Sequence, residues 1–90
     1  MLKIVSSNRF KKDLKMALKR GYNIDLLEEV VNKIAQGTRL EPKHKDHELS
    51  GDFKGLRECH IAPDWLLVYQ VFEDEVILYL SRTGTHSDLF

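Results

Sequence analysis

The chain has 90 residues, 42% of them hydrophobic and 31% charged, with 14 Lys and Arg balancing 14 Asp and Glu. At that length roughly 60–65% of the unfolded surface can be buried, which leaves room for one core and excludes a second domain. The aliphatic content excludes a disordered chain, no apolar run approaches the roughly 18 residues of a membrane-spanning helix, and the zero net charge argues against coating nucleic acid by bulk charge.

In chain order, "LKIV" at residues 2–5 reads as a short strand, and Ser6 and Ser7 are possible N-caps for a helix over residues 8–20. Within it Phe10, Leu14, Ala17 and Leu18 recur at helical spacing. Gly21 fits its C-cap, and Asn23 can cap a second helix whose Ile24, Leu27, Val30, Val31 and Ile34 keep the same period until Gly37. The short "RGYN" connection predicts an antiparallel helical hairpin. Residues 38–55 show no sustained period, and so long a connection in so small a domain is usually functional or mobile. "LRECHI", a turn at Ala62, Pro63 and Asp64, "WLLVYQVF", the "EDE" turn and "VILYLS" then read as three strands in an antiparallel meander, with Gly84 breaking the last. The fold class expected is therefore α+β: a single domain over residues 1–90, with an N-terminal strand and a helical hairpin packed on an antiparallel sheet.

Charge is unevenly distributed. Residues 1–20 hold seven basic side chains against Asp13 alone, and residues 61–90 hold five acids against Arg82 alone, so one basic face is available for a phosphate backbone. "MLKIVSSNRF" has no apolar stretch followed by small cleavage-site residues, and a lone Cys59 can neither close an internal disulfide nor build a thiolate metal site, so a cytoplasmic location is expected.

The four histidines, His44, His47, His60 and His86, all lie in the second half, and imidazole, titrating near pH 6.5, can supply both base and acid at neutral pH. His44 and His47 are three apart, and His60 and Asp64 four apart, so a metal site is as good a reading of the residues alone.

"KDHELSGDFKGLRECHIAPDWLLVY" over residues 45–69 and "RTGTHSDLF" over residues 82–90 resemble the YafQ branch of the RelE-type toxins of bacterial toxin–antitoxin systems. The motifs are D-H-x-L-x-G followed by R-x-x-H-x-x-P-D-W, and the resemblance in element order spans essentially the whole chain. It implies an endoribonuclease that enters the ribosomal decoding site, cuts messenger RNA and is held inactive by a co-expressed antitoxin of the DinJ or RelB kind with a ribbon-helix-helix start. Operator DNA would be met only through that complex, and no membrane is involved. The residues it marks as catalytic are His47, His60, Asp64 and His86, and those it places at the substrate are Arg57, Trp65, Arg82 and Phe90.

The chemistry so implied uses no metal and no cofactor: His86 as general acid, His47 or His60 as base, Asp64 orienting one ring, Arg57 and Arg82 on the phosphate, Trp65 and Phe90 stacking on bases. Trp65 opens a central strand, where plain core packing is an equal expectation. Arg57 alternates onto the strand face of Cys59 and Ile61, opposite His60, so both reach one phosphate only near a strand end or bulge. Glu58 stands where the resemblance leads one to expect aspartate, and His44 belongs to neither motif. The rival functions are a zinc-dependent hydrolase and a non-enzymatic module that binds an antitoxin and contributes to operator binding.

Overall fold

A computed structural model describes residues 1–90. Its elements are β1 (Lys3–Ser6), α1 (Asn8–Lys19), α2 (Ile24–Ala35), β2 (His47–Glu48), β3 (Arg57–Ala62), β4 (Trp65–Phe72), β5 (Ile77–Gly84) and α3 (His86–Leu89). Single 3-10 turns lie at Pro42–His44 and Gly51–Phe53.

Both long helices start where capping chemistry says they should. The Ser7 hydroxyl accepts from the Phe10 N–H and the Asn23 side chain from the Asp25 N–H, each satisfying a donor that a helix N-terminus leaves free. Gly21 takes the left-handed conformation (φ 78°) just beyond α1, which a side chain would resist.

The three strands of the meander pair as expected, and β1 and β2 extend them into a five-stranded sheet of order β1-β5-β4-β3-β2. β1 joins β5 in parallel, so the sheet is mixed rather than wholly antiparallel. Phe10 and Ala17 of α1 and Leu27, Val30, Val31 and Ile34 of α2 enter one cluster with Cys59, Ile61, Trp65, Leu67, Tyr69, Leu78 and Leu80, so both helices cover the same sheet face. Leu66 and Val68 are equally buried but stand outside that cluster, as strand alternation requires of the opposite face.

The end of the last strand also needs correction. β5 does not stop before Gly84 but includes it, paired with Leu66. A Cβ on Gly84 would lie 3.0 Å from the Asp88 side chain, so glycine here admits a close approach of the following segment. The tail after it forms α3, which begins with a capping box in which the Thr85 hydroxyl accepts from the Asp88 N–H and the Asp88 carboxylate from the Thr85 N–H.

Candidate active site

The open face is assembled from three places. β2, two residues long, is placed by pairing with β3, and its register sets His47 opposite Glu58, so the two side chains share a face. Glu58 and His60 share that face because they are two apart on β3. α3 then brings His86 over them: the His60 and His86 ring centroids are 5.8 Å apart.

Each ring is held through Nδ1. His47 Nδ1 lies 2.7 Å from the Lys45 carbonyl oxygen, and His60 Nδ1 3.3 Å from that of Pro63. His86 Nδ1 lies 3.3 Å from Asp64 Oδ1. A carbonyl or carboxylate oxygen only accepts, so in these contacts Nδ1 carries the proton and donates it, leaving Nε2 as the atom able to gain or lose one. The Nε2 atoms of His47 and His60 each stand 3.9 Å from Glu58 Oε1. Glu58 is 5% exposed, its carboxyl set between two imidazoles. The His86 backbone N–H also points to Asp64 Oδ1 at 3.4 Å, so Asp64, at the turn between β3 and β4, fixes both ring and helix start.

The structure thus brings His47, His60, Asp64 and His86 together and adds Glu58. The period of two could have placed Glu58 with His60 from the sequence, but not its burial, which depends on where the preceding loop folds. Phe90 follows α3, and its ring meets Phe53 edge-on at 5.3 Å, both rings exposed. Glu58 was marked in the sequence without a role, whereas Phe53 was not marked at all; an aromatic within the polar "SGDFKG" was its only signal.

Three expected substrate contacts are already engaged by other side chains. Trp65 is 4% exposed, its ring 5.0 Å from Tyr22 and its Nε1–H donating to Thr83 Oγ1 at 2.9 Å. It is core, with its polar atom satisfied, and has no free face for a base. Arg57 lies on the helix-covered face as alternation foretold, donating to Tyr69 Oη at 3.3 Å and paired with Asp46 at 3.3 Å. Arg82 donates through Nε and Nη2 to Asp13 of α1 at 2.8 and 3.1 Å. The Asp13 carboxylate holds the Arg82 guanidinium above its ordinary range. His44 is buried, and its Nδ1–H donates to the His60 carbonyl at 2.7 Å, tying the loop before β2 to β3.

The side chains close enough to share a cation are Glu58, His60 and His86, whose ligand atoms lie within 4.8 Å of one another; neither His44 nor His47 belongs to that group. A tetrahedral site with bonds near 2.0–2.2 Å needs donors about 3.4 Å apart, closer than the 3.9 Å between His60 Nε2 and Glu58 Oε1.

Beyond the ion pair at Asp13, α1 is tied to the site at its end. Arg20 donates to Asp88 at 2.6 and 3.2 Å, and with the Thr85 N–H it holds the Asp88 carboxyl well below the usual carboxylate range.

Comparison with known proteins agrees with this fold. Residues 2–90 match the family model described as the bacterial toxin of type II toxin-antitoxin system, YafQ. The mRNA interferase toxin YafQ of Escherichia coli K12 is 38% identical over 85 residues, 93% of this chain and 90% of that protein. A metal-bound toxin from Helicobacter pylori superposes with a TM-score of 0.95 at 50% identity, covering all of both chains. The toxin in the E. coli DinJ-YafQ toxin-antitoxin complex gives 0.89 at 36% identity over 99% of this chain and 97% of that one. With residues 2–90 matched by the family model and the fold shared over the whole chain, this chain belongs to the YafQ family of type II toxin–antitoxin toxins.

Proposed function

We propose that this chain is the toxin of a type II pair and an endoribonuclease that cleaves messenger RNA on the ribosome by acid–base chemistry. The observation that carries the reading is the convergence of three imidazoles, each with Nδ1 committed to an oxygen acceptor, on one open face. Their Nε2 atoms are left to move protons.

In this mechanism Nε2 of His47 or His60 takes the proton of a ribose 2′-hydroxyl. The 2′-oxygen attacks the adjacent phosphorus and the bond from phosphorus to the 5′-oxygen breaks, with His86 Nε2–H protonating the departing oxygen. The products are a 2′,3′-cyclic phosphate, or the 3′-phosphate from its opening, and a 5′-hydroxyl. Asp64 orients the acid. Arg82, oriented by Asp13, is the cation for the phosphorane. Phe90 and Phe53 offer exposed ring faces to bases.

The exposed Lys11, Lys12, Lys15 and Lys19 of α1 form the contact to ribosomal RNA. The inhibitor is a co-expressed antitoxin with a ribbon-helix-helix start and an acidic tail, and operator DNA is reached through it alone. The cytoplasm is the compartment these partners require. No helix is long and apolar enough to cross a membrane.

A specific observation favours a second role for the same atoms: Glu58, His60 and His86 form a three-donor group, and a structural relative is metal-bound. A cation there would occupy the nitrogens that the acid–base reaction needs, so added metal should inhibit cleavage rather than support it.

Induction without a partner tests the function. Growth should stop, and transcripts should be depleted with 5′-hydroxyl ends within coding sequence. Normal growth with intact transcripts, while the protein is soluble and folded, would instead support the binding-module reading.

A further inference from the structure

Arg57 was expected at the phosphate, but its surroundings give it different work. Its guanidinium pairs through Nη2 with Asp46 Oδ2 at 3.3 Å, its Nε–H donates to Tyr69 Oη at 3.3 Å, and the Tyr69 hydroxyl donates to Asp46 Oδ1 at 2.5 Å, closing a triangle. Tyr69 is 2% exposed and directly opposite Arg57 in the β3–β4 register, so two corners stand on the rigid sheet. The third, Asp46, belongs to the loop and immediately precedes His47.

Consecutive residues of an extended segment point to opposite faces. Asp46 is hooked on the helix-covered side while His47 emerges on the open side opposite Glu58. The backbone between the anchors is constrained as well. Lys45 is left-handed (φ 46°), and its carbonyl accepts the His47 Nδ1–H at 2.7 Å. Arg57 itself lines a cleft of about 690 Å³ with Lys45, Asp46 and Tyr69, which none of His47, Glu58, His60 or His86 lines.

We propose that Arg57 is a positioning residue: with Tyr69 it grips Asp46 through the sheet edge and thereby sets the place and ring orientation of His47, without touching RNA. The inference rests on the proposed nuclease reading for its effect on rate, but its structural half does not.

The test uses the full-length protein carrying Arg57→Gln, Asp46→Asn and both together. The readouts are single-turnover cleavage on ribosomes, affinity for ribosomes programmed with a 2′-deoxy message, and the His47 ring proton signals by NMR. Each single variant should slow cleavage about 10- to 100-fold, the scale of a displaced reacting group, with affinity unchanged. Adding Arg57→Gln to Asp46→Asn should cost less than about twofold more, because both remove one grip. The His47 signals should move in both variants while those of His86 stay.

Direct phosphate binding gives the opposite pattern: weakened affinity, additive losses and an unmoved His47, and that outcome overturns the proposal. Should either variant fail to fold, Tyr69→Phe removes only the hydroxyl and should shift the same His47 signals; a folded Tyr69→Phe protein with an unchanged His47 also overturns it. Because the NMR arm needs no activity, a moved His47 in a chain that cuts no RNA would count against the nuclease reading alone.

Discussion

The two faces of the sheet draw on the same strands for opposite purposes. Toward the helices, β3 and β4 send Cys59, Ile61, Leu67 and Tyr69 into an apolar cluster in which burial pushes the Cys59 thiol up to about 12, an inert side chain. Toward solvent, Glu58 and His60 of the same β3 face an edge strand and a four-residue helix. One face is held by area removed from water and the other by hydrogen bonds to oxygen acceptors. The division separates the core from its far side, and it leaves His47 and His86 dependent on two short elements that have little packing of their own.

Substitutions on the two faces should therefore separate rate from stability. The largest effect expected is on the open face: His86→Ala should lower single-turnover cleavage by roughly 10²- to 10⁴-fold with little change in the unfolding midpoint, since the ring is more than half exposed. On the core face, Leu67→Ala should cost about 2–5 kcal/mol of stability by urea titration, with the rate per folded molecule retained. A core variant that lost its rate while folded would blur the comparison.

A smaller effect is expected away from both faces. Lys12→Glu with Lys15→Glu should weaken ribosome binding and flatten its dependence on salt, because fewer counterions are released; an unchanged salt series would remove α1 from the interface.

Smallest is the tie at α3. Asp88 titrates below its ordinary value in the folded chain, so its stabilisation is complete above the usual carboxylate range and is lost as pH falls through the lowered value. The wild type should lose stability from about pH 4 downward, and Asp88→Asn should show less of that acid fall in circular dichroism. The gain is modest because the pair with Arg20 is well solvated.

Which features were legible in the sequence follows the same division. α1 and α2 could be read because twelve residues hold a full amphipathic period and Ser7 and Asn23 announce their starts. The meander was legible from β-branched and aromatic runs between turns. β2 was not, for two residues carry no period and exist as a strand only because β3 supplies a partner. α3 is too short for periodicity, although Thr85 and Asp88, three apart, were a capping signature in plain view. The histidine set could be named from its motifs. Alternation placed Arg57 with the core, but its grip on Asp46 depends on how residues 38–55 fold, which no local pattern encodes.

If the open face cleaves RNA with its own side chains, as proposed, no bound metal is needed. The most direct measurement is single-turnover cleavage of a defined message on purified ribosomes, by protein stripped with a chelator that is then removed so that the ribosome keeps its magnesium, with the RNA ends mapped. Cleavage by the side chains alone gives an unchanged rate, a 5′-hydroxyl and a 2′,3′-cyclic phosphate, and inhibition when zinc or copper is added back. Loss of cleavage on stripping, with recovery on adding zinc, would contradict it and make Glu58, His60 and His86 ligands of a working metal.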